Sequence, residues 1–510
     1  MYPNANTLTQ PLTKIVATLG PATSDPEVIA AMIRSGVRVA RLNFSHGTFE
    51  EFSKFLAAAR AAEKIVGIPL AVMGDLCGPK VRVGDVPEGP IQLNVNDRFI
   101  VSNDDCAAHR NAQGLLVLGT NQAAVVADAQ VGHRLYIADG AIKSVVEEKH
   151  NGCLTCRITA AGKVSRRKGI NLPDTGLSIP TMTDWDRECT AWAVKNDLDW
   201  LALSFVRSGK DIDDLKFLIN KLDGSDASKE KVNRIRTVAK VEVPQALTAL
   251  GSICAAADAI MVARGDLGVE MDLEQVPVLQ KRIMAAAHAH GKSVIVATQM
   301  LESMITAASP TRAEVSDVAN AVLDGADAVM LSAETSVGQF PVETIGYMAR
   351  TAIAAEDFAA TLGLVRPQTP EQLTTTTRYR TAALAMGVQA AATSIKAKRI
   401  VVWTEFGGGA RYLSQLRLAV PITAFSCNRQ ALRQVGMLYG VRPVMIDRPE
   451  NANEFLHTMD RYLMDKGYLT KGDPVIVVLG TPFGVAGAGS TNTLQIHYAG
   501  DADAPAAPAI

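Results

Sequence analysis

Eight short runs of Val, Ile, Ala and Leu, each followed by a turn and a longer helix-like segment, most tightly limit how this chain folds. They fall at 14–19, 37–42, 69–75, 200–205, 237–242, 259–263, 293–298 and 328–331. Most are apolar at nearly every position, as strands buried on both faces must be. Start and stop signals place helices between them. Thr48 and Glu51 make a capping box closed by Gly67 and Pro69, Thr183 and Asp186 mark a second start, and Pro341 opens a later helix. Strand alternating with helix implies parallel pairing, and eight such units predict a closed (β/α)8 barrel.

The rhythm breaks once, between the third and fourth runs, where the connection far exceeds a normal βα loop. From about 81 to 170 it carries short β-like stretches broken by Gly, Asn and Asp: VRVGDVPEG, RFIVSND, HRLYIADG and GCLTCRIT. An inserted small β-barrel lid domain at one mouth of the barrel is expected. After 358 comes a polar connector, TPEQLTTTTRYR, then further strands at 400–403, 422–425, 442–445 and 474–478, expected to form a C-terminal α/β doubly wound domain. The expected division is 1–79 and 171–357 for the barrel, 80–170 for the lid, 358–498 for a regulatory domain and 499–510 for a disordered tail.

A net charge of −1 offers no bulk attraction to nucleic acid or to an anionic membrane, so neither is an expected partner. Any anionic ligand must be held by locally placed cations. Seven cysteines without framework spacing suggest a reducing compartment. Cys153 and Cys156, three apart in a β-like stretch, face opposite sides and read as ordinary thiols. MYPNANTLTQPLTK has no cationic-then-apolar pattern, and no uncharged apolar stretch reaches about 18 residues. A cytoplasmic location is expected.

In a (β/α)8 barrel the site gathers at the C-terminal ends of the strands. Those ends carry Arg41, Asn43 and Ser45; Asp75; Lys240 and Glu242; Gly265 and Asp266; Thr298; Ser332 and Glu334. Any one of them fits a satisfied rim ion pair, but several converging on one mouth point to chemistry. Lys240 and Glu242, two apart on a strand, project from the same face. Asp266 adds a second carboxylate, and two carboxylates with positions left open for substrate oxygens is how Mg2+ is usually held. Gly265 lets backbone N–H groups approach an anion, and a helix start there favours a carboxylate. Lysine, metal and arginines around one anionic centre are the equipment of phosphoryl transfer.

The segments TVAKVEVPQAL, MVARGDLGVE, ATQMLESMI, PTRAEVSDVANAVLDGADAVMLSAET and RLNFSHG resemble the pyruvate kinase family across the barrel. The insert and C-terminal domain fall where that family has them, so the resemblance covers about 12–497. It implies a phosphotransferase that moves the phosphoryl group of phosphoenolpyruvate to ADP, giving pyruvate and ATP in the last step of glycolysis. Mg2+ is the implied cofactor, with Mn2+ an alternative. Lys240 is implied to neutralise the transferring group, Glu242 and Asp266 to hold the metal, and Arg41 to contact the substrate phosphate. The Gly265 and Asp266 amides would receive the substrate carboxylate. Thr298 would lie beside the carbon that is protonated, with Ser332 and Glu334 linked to a proton relay. Arg82, Asn43, Lys168 and Asn171 are implied to touch the nucleotide, with Asp139 facing the site when the lid closes. The family likeness also implies a homotetramer, with 310–321 at an interface.

Two departures from the family pattern stand out. Many members hold K+ with an Asn, a Ser, an Asp and a Thr, with a Glu nearby. Asn43, Ser45 and Asp75 match, but the Thr position is Leu76 and the Glu position is Lys80. An ammonium repels a bound cation, so K+ is not expected to be required. The effector-phosphate loop reads Thr404-Glu405-Phe406-Gly407-Gly408-Gly409, facing a second loop at 484–493 with Gly489, Ser490 and Thr491. Glycine N–H groups can still cradle a phosphorylated effector, whose identity stays open. The rival readings are another phosphoenolpyruvate- or pyruvate-handling barrel enzyme (a mutase, dikinase or aldolase) and a non-catalytic sensor. The first would lack RKGINLP and Arg82, and the second would have lost Lys240 or a metal carboxylate.

Overall fold

Eight parallel strands close into a barrel in the computed structural model, which describes residues 10–224, 235–362, 379–480, 483 and 491–501. The strands are Lys14–Thr18, Val37–Asn43, Ala71–Asp75, Trp200–Leu203, Arg236–Val241, Ala259–Ala263, Ser293–Ala297 and Ala328–Leu331. Each pairs with its sequence neighbours, and the first pairs with the eighth. The fourth and seventh stop before the ends expected at 205 and 298. Phe205 and Thr298 take left-handed backbone conformations, φ 54° and 75°, which turn the chain out of the ladder. Glu242 likewise lies one residue past the fifth strand.

Each strand buries both faces. Ile15 and Ala17 pack outward against the helices, while Val16 points into the barrel with Val39, Met73, Met261 and Met330. The helices start where the capping signals lie. Thr48 and Glu51 bond reciprocally at the head of Phe49–Val66, which Gly67 closes at φ 72°, and Thr183 and Asp186 do the same for Asp184–Lys195. Pro341 is the first residue of Pro341–Thr361.

The insert folds around its own core, with Val83, Phe99, Leu135 and Ile158 at its centre. A seven-stranded sheet and a ribbon pairing Ile91–Leu93 with Gly162–Val164 enclose it. The sheet includes Ile170–Asn171, paired with Arg134–Ile137. The chain enters and leaves side by side: Val83 N–H donates to Lys168 O and Ile170 N–H to Val81 O, both at 2.9 Å. Cys156 is buried and Cys153 half-buried on the strand Cys153–Ala160.

The C-terminal sheet runs Val441–Met445, Ile422–Ser426, Arg399–Trp403, Pro474–Leu479 and Thr493–Tyr498, with the last strand antiparallel. Ile400 and Val402 face one core and Val401 and Trp403 another, so both faces are covered. This domain seals the end of the barrel opposite the site. Met437 joins the barrel's interior cluster, Arg433 pairs with Glu63, and Arg417 pairs with Asp327 at 2.9 Å. The connector at 363–378 and the tail from 502 lie outside the described residues. Among those described, no helix is long and apolar enough to cross a membrane.

Candidate functional site

At the open mouth, ends of strands far apart in sequence bring together a closed ionic cluster. Lys240 Nζ lies 2.9 Å from Glu242 Oε1 and 3.2 Å from Asp75 Oδ1, and donates to Ser204 Oγ at 2.7 Å. Arg41 donates from Nε to Asp75 Oδ2 at 2.7 Å and from Nη1 to Thr18 Oγ1 at 3.0 Å. Both oxygens of Asp75 are thus taken by cations. Burial works against the Asp75 carboxylate, but Lys240 and Arg41 outweigh it and hold its pKa below the ordinary value. Burial likewise opposes the Lys240 charge, yet Asp75, Glu242 and Asp266 together raise its pKa above the ordinary lysine range. Lys240 is therefore a permanent buried cation.

Glu242 is fully buried. Its Oε2 accepts the Phe205 N–H at 2.8 Å, and its Oε1 faces the Lys240 ammonium at 2.9 Å. Burial, with Asp266 adding to it, pushes the carboxyl above the ordinary range against the pull of Lys240. Asp266, on the short helix Arg264–Glu270, has no ion pair or hydrogen bond among the described residues. No group of three or more His, Cys, Asp and Glu side chains is placed to hold a metal among them. What the mouth offers is a pair of under-used carboxylates, a donor set that suits a hard divalent cation whose other positions go to ligand oxygens.

Thr298 turns out of the seventh strand with its Oγ1 2.7 Å from the Gly265 nitrogen, so the Gly265 N–H expected to meet a carboxylate is engaged by Thr298 here. A left-handed β-branched residue is strained, and Arg264 braces it by donating to Thr298 O at 2.8 Å while pairing with Asp317 at 2.7 Å. Glu334 is buried. Its two oxygens accept the N–H groups of Leu301 at 3.2 Å and Ser332 at 2.7 Å, so it ties the loops after the seventh and eighth strands together.

A cavity of about 490 Å³ opens between lid and barrel. Lys80, Arg82, Arg166, Arg167, Lys168 and Arg207 line it against only Asp139, Asp266 and Glu270, an excess of cations that suits a polyphosphate. Asn171 donates to Glu270 Oε1 at 2.8 Å across the cleft. Asn43 and Asp75 are register partners on adjacent strands, and Asn43 Oδ1 accepts the Ser45 N–H at 3.2 Å. Leu76 is fully buried. Lys80 does not join these residues. It lies in the cavity with Arg82 near His46, whose pKa falls below the ordinary value through burial, then Lys80, Arg82 and Arg41.

His46, Ser204, Arg207 and Glu270 gain places at the site that the sequence reading does not give them. RLNFSHG contains His46 and was a usable signal, whereas Ser204 follows an apolar strand with no pattern to mark it. In the C-terminal domain, Gly407 at φ 84° donates to Thr404 Oγ1 at 2.9 Å, and a Cβ at Gly409 would lie 2.7 Å from Thr491 Oγ1. The two loops therefore face each other at close range. Glu405 pairs with Arg448. Gly489 and Ser490 lie outside the described residues.

The family profile described as pyruvate kinase, barrel domain, matches residues 10–345, and that of the pyruvate kinase alpha/beta domain matches 382–497. A pyruvate kinase of Mycobacterium intracellulare is 36% identical over 490 residues, spanning 96% of this chain and 99% of its own. One of Methylorubrum extorquens is 37% identical over 486 residues, with 95% and 97% covered. A crystal structure of a pyruvate kinase from Cryptosporidium parvum matches with TM-score 0.86 and 30% identity over 98% of both chains.

Proposed function

We propose, given that this chain belongs to the pyruvate kinase family and is therefore a phosphotransferase, that the Lys240 cluster is where phosphoenolpyruvate gives up its phosphoryl group to ADP. The supporting observation is the buried Lys240 ammonium held at the open mouth between the carboxylates of Asp75 and Glu242 and the hydroxyl of Ser204. Arg41, pinned by Asp75 and Thr18, contacts the substrate phosphate, and Lys240 neutralises the phosphoryl group in flight. The Gly265 and Asp266 amides take the substrate carboxylate once Thr298 yields the Gly265 N–H. Thr298 then stands at the carbon that becomes the methyl of pyruvate, and Ser332, held by Glu334, relays its proton. Arg82, Lys168, Asn43, Asn171 and Asp139 serve the nucleotide around the lid–barrel cavity, and lid closure keeps water from the phosphoryl group.

Mg2+, which the family generally uses, would be held by Glu242 and Asp266, with Mn2+ able to replace it; when bound it supplies charge neutralisation of phosphate and carboxylate oxygens. K+ is not needed. Asp75 has both oxygens spent on Arg41 and Lys240, Leu76 offers no side-chain oxygen, and Lys80 adds positive charge at the neighbouring cavity. We assign the division into barrel, lid and C-terminal regulatory domain as set out above. A phosphorylated effector is taken between Thr404–Gly409 and Thr491, and the chain works as a cytoplasmic homotetramer.

The test is pyruvate formation from phosphoenolpyruvate and ADP with Mg2+, in K+-free and K+-containing buffer. Equal rates support both the activity and K+ independence. Activity only with K+ overturns the cation argument, and no pyruvate in either buffer overturns the catalytic assignment.

A further inference from the structure

Lys240 has three N–H bonds to place, and its neighbours decide where each points. Glu242 Oε1 at 2.9 Å and Asp75 Oδ1 at 3.2 Å take two of them as charged partners. The third goes to Ser204 Oγ, a neutral acceptor at 2.7 Å.

Ser204 is itself held. Its hydroxyl donates to Leu76 O at 2.7 Å, so a lone pair and not a proton faces Lys240. The side chain is 2% exposed, and a Cβ at Gly78 would come within 3.2 Å of Ser204 Cβ, so the loop after the third strand closes directly over it. Gly78 takes φ +64°, a conformation that also favours glycine there. The hydroxyl is held in place by this packing and by its bond to Leu76 O.

We propose that Ser204 is a positioning residue for phosphoryl transfer. Its oxygen takes one N–H of Lys240 and so holds the other two on Asp75 and Glu242, which fixes the ammonium at the mouth where the phosphoryl group passes. Ser204 itself transfers no proton and forms no bond to phosphorus. The inference rests on the role proposed for Lys240, and its test is chosen to fail separately.

Ser204→Ala keeps the charge of Lys240 and removes its aim. Turnover of phosphoenolpyruvate with ADP is expected to fall about 10- to 100-fold, the effect of losing one hydrogen bond to a charged group. KM for both substrates should stay within about threefold, because ground-state contacts are untouched. Exchange of pyruvate methyl hydrogens with D2O, followed by NMR, should also stay within about threefold, since that step belongs to the Thr298 side of the site. Unchanged turnover in a folded Ser204→Ala protein overturns the proposal, and so does an equal loss in turnover and exchange, which a merely structural serine would give. If the alanine variant does not fold, Ser204→Cys, with its weaker acceptor, must show the same split between turnover and exchange. Failure of the unaltered protein to form pyruvate would instead defeat the reading of Lys240.

Discussion

Glu270 is buried in the cleft beside Asp266, with Asn171 as its hydrogen-bond donor, and burial pushes its carboxyl from the ordinary 4.5 up to about 7. A carboxyl whose folded pKa is raised favours folding below its unfolded pKa, and that contribution is lost as pH rises through the folded one. The ligand-free protein should therefore lose up to about 3 kcal/mol from this group between pH 4.5 and 8. Glu270→Gln should remove that slope, which denaturant melts at several pH values would show. Lys240→Met should lower turnover by about 1,000-fold or more while circular dichroism stays unchanged, since Arg41 still neutralises Asp75. Turnover near the native rate would be incompatible with the mechanism. The Lys-Val-Glu spacing was enough to place ammonium and carboxylate on one face. It could not name Asp75 or Ser204 as the other partners of Lys240, because register across the barrel, not spacing along a strand, brings them together.

Between strand and helix, the loop that follows Asn43 and carries Ser45 and His46 depends on an aromatic brace. Trp185 donates from its indole to Phe44 O at 3.0 Å and stacks on Phe49 at 4.8 Å, while Phe44 meets Phe52 edge-on at 4.9 Å. Trp185→Phe retains the stack and loses the hydrogen bond, which should cost about 1 kcal/mol. Hydrogen exchange at 43–47 should speed up while the barrel strands stay protected. Strand and helix positions were legible from apolar runs and capping boxes, since both report local geometry. The early ends of the fourth and seventh strands were not. Nothing in Phe205 or Thr298 as residue types announces a left-handed backbone, which the surrounding contacts impose on them.

For the whole molecule, the C-terminal domain closes the barrel floor through pairs that lose their sense one at a time. Glu63 is buried, and Arg433 is its close partner from the other domain. Arg433→Met should destabilise by about 1 to 2 kcal/mol, because buried Glu63 loses its closest cation and keeps only the longer contact with Arg60 at 3.4 Å, and adding Glu63→Met should recover part of that. Thermal melts of the two variants decide this. The order of the domains was legible from the interrupted rhythm of the chain, but their docking was not, since Met437 entering the barrel floor has no sequence signature.

The paired entry and exit of the lid carry a consequence for how such a chain assembles. A third strand that had to find the fourth across an unstructured insert would face a distant search. Here the insert owns a complete core, and Val81–Val83 runs against Lys168–Ile170 at its base. Once it has folded, the barrel meets it as little more than a tight turn. The interruption that looks largest along the chain adds little to the connection the closing barrel has to make.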